Sequence, residues 1–293
     1  MKALIIAEHA AAAAELVAGA RTMADEVVAI SFGGAYECGA DKVLNITVPE
    51  GLTVDSAVET VNAAFDAENP EVVLVEACRH MKVIAGSLAF HADTAVITDV
   101  TAFEAEGAKS MYFGGIAERV QKAAGNVAIY TIGAGVFDGA EGANGSVAEQ
   151  EWVAPARPVK VVSSQVIEKS GVNLFKADVV VAAGRGFAEE SQLSMANDLC
   201  DKLGAGLACS RPLTEGVNWL PTERYVGVSG LMLTPKAYIA VGISGQMQHM
   251  VGANRSATVI AVNKDKNAPI FKQCDFGIVG DLNEILPALT AAL

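Results

Sequence analysis

Residues 241–252, VGISGQMQHMVG, bring more potential chemistry together than any other stretch of the chain. An apolar run at 237–241 enters a Gly-Ile-Ser-Gly turn, and the residues beyond it can open a helix whose first backbone N–H groups have no partner within the helix. Such a turn seats an anion, and Ser244 and Gly245 stand at its tip. His249 follows one turn into the helix, after Gln246, Met247 and Gln248, so a phosphate held at the turn lies within reach of an imidazole and two amides. The ligand this suits is extended, charged and hydrogen-bonding, such as a dinucleotide. A lone histidine between Met247 and Met250 is more often a hydrogen-bonded structural residue; the anion-binding turn ahead of it favours a functional one.

Two cations add to this. Arg185 lies between two glycines after an apolar run, where backbone and ligand can approach closely while the guanidinium forks onto oxygens. A structural pairing with a helix carboxylate explains a single such arginine equally well. Arg211, after Ser210 at the end of another apolar run, shifts the balance toward an anionic or electron-rich ligand. Hydrolytic chemistry is not indicated, because there is no G-x-S-x-G elbow and no carboxylate pair flanks a glycine-rich turn. The glycines at 133, 135 and 145 lack G-x-G-x-x-G spacing and a following helix, so they read as loop. His9, His80 and His91 have no ligand-spaced partners, and Cys38, Cys78, Cys200, Cys209 and Cys274 form no C-x-x-C pair. No zinc or iron–sulfur site is expected from local spacing.

The elements that must position these residues follow from periodicity. In the first half, apolar runs at 3–7, 27–31, 43–46, 72–76, 95–100 and 127–132 alternate with helical patterns at 10–24, 54–68 and 81–89, the rhythm of repeated βαβ units. A polar, Gly-rich loop at 133–149 leads to a connector strand at 159–164. The pattern restarts after 176 with strands at 179–183, 206–210, 237–241, 258–262 and 276–279, and with a helix at 189–203 that carries two acids at its start and Gly204 at its stop. The fold class is α/β, with two domains, each a mainly parallel sheet with flanking helices, and the carboxyl-terminal one doubly wound. The boundary is placed near Ser170, giving domains 1–170 and 171–293. Ligands of such sheets sit at the carboxyl ends of strands, so the segments 184–186 with Arg185, 210–211 with Ser210 and Arg211, 242–245 with Ser244, and 263–265 with Asn263 and Asp265, each following a strand end, can converge on one crevice.

The 293-residue length supports two domains, since single cores rarely grow past about 250 residues. With 52% hydrophobic and 19% charged residues, and few aromatics, the composition fits buried parallel sheets. A formal charge of −13 argues against nucleic acid or an anionic membrane surface as the main partner. The start resembles a signal peptide only until Glu8 and His9 interrupt it, and no run approaches the roughly 18 apolar residues needed to span a bilayer. Scattered cysteines suit a reducing cytoplasm, and no membrane insertion is expected.

Several blocks of the second half resemble the flavin-binding domain of the electron transfer flavoprotein alpha subunit: VVVAAGRGF (179–187), ACSRP (208–212), ERYVGVSG (223–230), YIAVGISGQMQHMVGANRS (238–256), IAVNKDKNAPIF (260–271) and DFGIVGDLNEILPAL (275–289). The wording SRP, NW, ERYVG and GQMQHMVGAN is nearest to the FixB-type branch. The amino-terminal domain is similar in its α/β pattern and its length. The resemblance implies FAD in the second domain, contacted by Arg185, Ser210, Arg211, the loop Val226, Gly227, Val228 and Ser229, the turn Ser244, Gly245, Gln246, Met247, Gln248 and His249, and by Asn263, Asp281 and Leu282. It places Ser244 and Gly245 at the pyrophosphate, Ser229 near flavin N5, His249 near N1 and O2, Arg211 over the isoalloxazine, and Asn263 and Asp281 at ribose, ribityl or adenine groups. Where many relatives read Q-V-G-Q-T-G, this chain has Tyr225-Val-Gly-Val228-Ser229-Gly230, losing an amide and replacing Thr by Ser.

The resemblance further implies an electron carrier with no substrate transformation of its own. It works as a heterodimer with an electron transfer flavoprotein beta subunit, between a dehydrogenase donor and an oxidoreductase acceptor. A reduced flavin carries negative charge around N1 and C2–O2, so a cationic or hydrogen-bond-donating neighbour raises its potential; His249 and Arg211 are the levers. The alternative is an NAD-binding enzyme of deoxyhypusine-synthase-like fold, which needs a catalytic Lys or acid over a nicotinamide. A non-redox nucleotide-binding regulator is a third reading.

Overall fold

In the computed structural model, residues 1–139, 142–165 and 173–293 are described. They form two compact units, Met1–Tyr112 with Glu118–Val166, and Phe113–Ala117 with Ile167–Leu293. The sequence-based boundary near Ser170 lies outside the described residues.

The first unit is built on a nine-stranded sheet. Its strands are β1 (Lys2–Ile6), β2 (Glu26–Phe32), β3 (Lys42–Ile46), β4 (Val72–Glu76), β5 (Val96–Glu104), β6 (Gly107–Tyr112), β7 (Ala117–Gln121), β8 (Ala128–Ile132) and β9 (Ser146–Glu149), in the order β7-β6-β5-β8-β4-β1-β2-β3-β9. Helices α1 (Ala10–Arg21), α2 (Val58–Glu68) and α3 (Arg79–His91) connect the central parallel strands. Alternation along β1 sends Ala3 and Ile5 into a core that includes α1, and Leu4 and Ile6 into one that includes α2 and α3. Both faces are covered, so the strand reads as a continuous apolar run.

Three features depart from the sequence reading. The connector strand at 159–164 does not form: this stretch is exposed, and its backbone is tied to Thr53, Ser56 and Gly51, with Val159 N–H donating to Ser56 Oγ at 2.9 Å. The glycine-rich loop ends instead in β9, which pairs parallel with β3. All four β9 residues are exposed, so no apolar signal announced the strand. Strands β6 and β7 were also missed. They extend the sheet beyond β5, with β6 antiparallel to it across a turn at Gly107, where φ is +144°.

The second unit contains β10 (Val179–Ala183), α4 (Leu193–Leu203), β11 (Gly206–Cys209), β12 (Ala237–Val241), α5 (Met247–Met250), β13 (Thr258–Asn263), β14 (Phe276–Val279) and α6 (Leu282–Ala292). Its five strands run parallel in the order β11-β10-β12-β13-β14. Leu193, Ala196, Leu199 and Cys200 put one stripe of α4 into the core. Each fully buried leucine there contributes about 1.5–3 kcal/mol. A capping box between Glu189 and Gln192 starts this segment, and Gly204 ends it at φ +61°. On the opposite face Tyr238, Ile243, Met250, Ala253 and Ile270 pack under loops and the single turn of α5. The helix expected after Gln246 is therefore only Met247–Met250, followed by turns.

Candidate functional site

The carboxyl ends of β10, β11, β12 and β13 open on one crevice of about 520 Å³. Arg185, Ser210, Arg211, Ser244, Gln246, Gln248, His249 and Asn263 line it, together with Val228 from the loop before β12. A smaller cavity of about 120 Å³ shares Gly186, Gly242 and Asn263 with it and reaches Asp281 and Leu282 at the start of α6. The two make an elongated trough across the strand ends. Val226, Gly227, Ser229, Gly245 and Met247 line neither cavity.

The floor is bare backbone. Gly186 N–H donates to the Gly242 carbonyl at 2.9 Å, and Gly184 N–H to that of Val241 at 2.8 Å. A Cβ on Gly186 would stand 2.6 Å from Gly242 Cα, and Gly242 itself has φ +64°. The β10 and β12 turns thus touch only because neither carries a side chain, leaving peptide groups at the bottom of the trough. Gly245, at φ +85°, is buried over Ile270, and the segment below braces the turn through Ile270 N–H to the Ser244 carbonyl (3.0 Å) and Gln273 Nε2 to the Gly245 carbonyl (2.8 Å). Asn263 spends its side chain on the same framework: Nδ2 donates to the Ile243 carbonyl and Oδ1 accepts from Asp265 N–H, both at 2.9 Å.

The loop before β12 is fixed rather than free. Val226 N–H donates to the Cys209 carbonyl at 2.9 Å, Gly227 N–H to that of Leu231 at 3.1 Å, and Val228 N–H to that of Gln248 at 2.7 Å. Ser229 Oγ lies 3.3 Å from the Tyr225 hydroxyl, and Tyr225 lines the crevice. Asp265 lines the crevice as the segment after β13 was expected to, whereas Tyr225 and Pro269 were missed because nothing in their spacing marks them; Tyr238, which holds His249, was hidden inside an apolar strand run.

Electrostatically the walls are uneven. Arg185 is exposed and makes no ion pair with a described residue, whereas Arg211 Nε meets Glu215 Oε2 at 2.6 Å one helical turn on. His249 is buried, and its Nε2 lies 2.9 Å from the hydroxyl of fully buried Tyr238. Burial pushes the imidazole down to about 4, with a weak opposing contribution from the Val226 backbone, so at neutral pH it is uncharged. Positive charge in this crevice therefore comes from the arginines, and His249 acts as a neutral hydrogen-bonding group, unlike the cationic role open to it in the sequence. Its Nδ1 is buried without a partner of hydrogen-bonding geometry. Cys209 ends β11 beneath Ser210, and burial pushes its thiol up to about 12, which keeps it unreactive.

A trough floored by peptide groups, with two guanidiniums, three amides and a buried imidazole on its walls, defines a doubly wound nucleotide-binding sheet. Comparison with known proteins makes the class specific. Residues 173–254 match the family described as electron transfer flavoprotein FAD-binding domain, and residues 3–157 match the electron transfer flavoprotein domain. Protein FixB of Escherichia coli O157:H7 is 40% identical over 293 residues, covering 95% of this chain and 94% of that protein, and Protein FixB of Shigella flexneri aligns to the same extent. The chain belongs to the electron transfer flavoprotein alpha-subunit family, and its role is electron transport. The first unit, in which the sequence reading found a likeness only of α/β pattern and length, matches the family as well.

The residues present fit a flavin nucleotide. The glycines let the β10 and β12 turns approach closely enough to leave the strand ends open, the two adjoining cavities present separate groups to separate parts of an extended ligand, and the buried His249 imidazole keeps Nδ1 without a partner of hydrogen-bonding geometry. Among the described residues no helix is long and apolar enough to cross a membrane.

Proposed function

We propose that the second unit binds FAD along this trough and that the chain, paired with a beta subunit, carries electrons from a dehydrogenase to a partner oxidoreductase without transforming a substrate of its own. The observation that carries the reading is the convergence of four strand ends on one glycine-floored crevice. Ser244, with the peptide groups of the turn, suits the pyrophosphate, and Asp281 and Leu282 suit the adenosine end at the smaller cavity. Arg185 and Arg211 offset the charge of a reduced ring system, while His249 offers a fixed neutral hydrogen-bonding group. Bound FAD would supply the electron acceptance and release. Ser229, Val226, Gly227, Gly245 and Met247 act through the framework, holding the loop and turn that line the crevice. The domain division near residue 170 separates this FAD-binding half from an amino-terminal half that faces the beta subunit, and the five cysteines, all free thiols, suit a cytoplasmic protein.

The test is co-expression with the beta subunit, a visible spectrum of the purified complex, and chromatography of the nucleotide released on denaturation. FAD in stoichiometric amount supports the reading. A colourless complex, or release of NAD with nicotinamide-dependent turnover, overturns it.

A further inference from the structure

The carboxyl ends of β1 and β4 mark the point where the strand order of the first sheet reverses: β2 and β3 build outward from β1, whereas β8 and β5 build outward from β4. Such reversals leave a crevice at the strand ends where ligands collect. Here it receives Glu8 and His9 just past β1, and Glu76, Cys78 and His80 from the end of β4 and the start of α3. The local spacing of these residues gave no sign of a metal site. The fold nevertheless brings a carboxylate oxygen of Glu8, a ring nitrogen of His9 and Cys78 Sγ within 4.8 Å of one another.

The surroundings hold this trio in place. Glu76 accepts from the backbone N–H groups of Glu8 (2.8 Å) and His9 (3.1 Å), and its other oxygen meets His9 Nδ1 at 2.7 Å. His80 Nδ1 lies 2.9 Å from Glu8 Oε1, and the Tyr36 hydroxyl donates to the Glu8 carbonyl at 2.5 Å. Carboxylates that orient a ligating imidazole are a recurrent second layer of metal sites. One sulfur, one nitrogen and one oxygen suit a borderline-soft cation such as Zn²⁺ and do not suit Mg²⁺ or Ca²⁺. Tetrahedral donors around zinc stand roughly 3.3–3.8 Å apart, so closure needs side-chain shifts of about 1 Å. Without metal the Cys78 thiol donates to Glu8 Oε2 at 3.2 Å, so binding would displace this hydrogen bond and release the thiol proton to solvent; the resulting thiolate and the Glu8 carboxylate would balance the two charges of the ion. His9 is largely exposed, which gives a cation access.

We propose that Glu8, His9 and Cys78 bind a thiophilic divalent cation of the Zn²⁺ class, oriented by Glu76 and His80 and clamping the ends of β1 and β4. The site lies wholly in the first unit and does not depend on the flavin reading.

The full-length chain, free of any affinity tag and stripped with chelator, would be titrated with Co²⁺, and the near-ultraviolet thiolate-to-cobalt charge-transfer band read after subtraction of any flavin absorbance. One equivalent should produce the band, and Zn²⁺ should displace it. Cys78→Ser should abolish it, His9→Ala should weaken Co²⁺ and Zn²⁺ binding at least tenfold, and Glu76→Gln should weaken it by about tenfold. His9 is exposed enough for its variant to fold, and circular dichroism without metal checks both. No band at stoichiometric Co²⁺, or a band that survives Cys78→Ser, overturns the proposal.

Discussion

Tyr238 and His249 form a buried pair: the phenol, fully enclosed within β12, meets imidazole Nε2 at 2.9 Å and holds the ring at the wall of the crevice. The same enclosure pushes the tyrosine well above its usual range and the histidine far below its own. Each group therefore stays neutral across the physiological range, and the hydrogen bond between them is one of uncharged partners.

Acid should expose this pair. An unfolded histidine takes up its proton near pH 6.5, whereas folded His249 does so only near 4, so between these values the unfolded chain binds more protons. The stability from a neutral His249 is complete above about pH 6.5 and declines as pH falls toward 4. The separation between the unfolded and folded values corresponds to about 3 kcal/mol. Urea unfolding of the flavin-free chain at pH 7 and pH 4.5 should show a steeper loss than the His249→Gln variant shows; equal slopes would contradict the burial argument.

Arg185 and Arg211 are exposed, and the Arg211–Glu215 pair is a surface one that contributes little to folding. Alanine at either position should leave the thermal unfolding of the flavin-free protein where it is. Flavin retention by the complex should fall tenfold or more, as expected for losing a charged hydrogen bond. Fluorescence titration of deflavinated protein with FAD separates the two effects.

Two glycines with positive φ should respond unequally to alanine. At Gly33, φ is +76° with nothing within 4 Å of a built Cβ, so the cost is backbone strain alone, about 1 kcal/mol. At Gly242 the added carbon would also press on Gly186 Cα at 2.8 Å and separate the two turns, costing about 3 kcal/mol or more together with flavin binding. Parallel denaturation and FAD titration of both variants would check the contrast.

Glu68 joins Lys42 and Lys2 at 2.5 and 3.1 Å and is itself largely buried. Burial alone would raise its carboxyl, but hydrogen bonds from the two lysines outweigh that and hold it below the usual range. Its contribution is thus present above pH 4.5 and lost as pH falls through the lower folded value. Glu68→Gln should cost about 2 kcal/mol at pH 7, and the difference from the parent should shrink near pH 3.

Most of what positions the crevice was legible because it rests on local rules. Strand β12 has the same limits in sequence and structure, and Glu189 and Gly204 bracket the helical segment before β11 as their chemistry demands. What escaped has a physical cause in each case. Strand β9 has every side chain in solvent, so its pairing is carried by backbone alone and leaves no periodicity. Residues 159–164 look like a strand by their valines, but their hydrogen bonds go to Ser56, Thr53 and Gly51. Tyr238 is a β-sheet residue by every local measure, and only the approach of α5 turns it into the support of His249. Glu8, His9 and Cys78 are brought together by adjacent parallel strands joined through distant segments of chain, a proximity that spacing along the sequence cannot express.

The backbone contact between the β10 and β12 turns has a consequence for how the site can change over time. Contacts made by peptide groups are indifferent to which side chains surround them, so substitutions around the rim can retune redox behaviour while the seat below persists. A saturation library should then divide sharply, with Gly184, Gly186 and Gly242 admitting almost no replacement and Val228 or Gln246 admitting many.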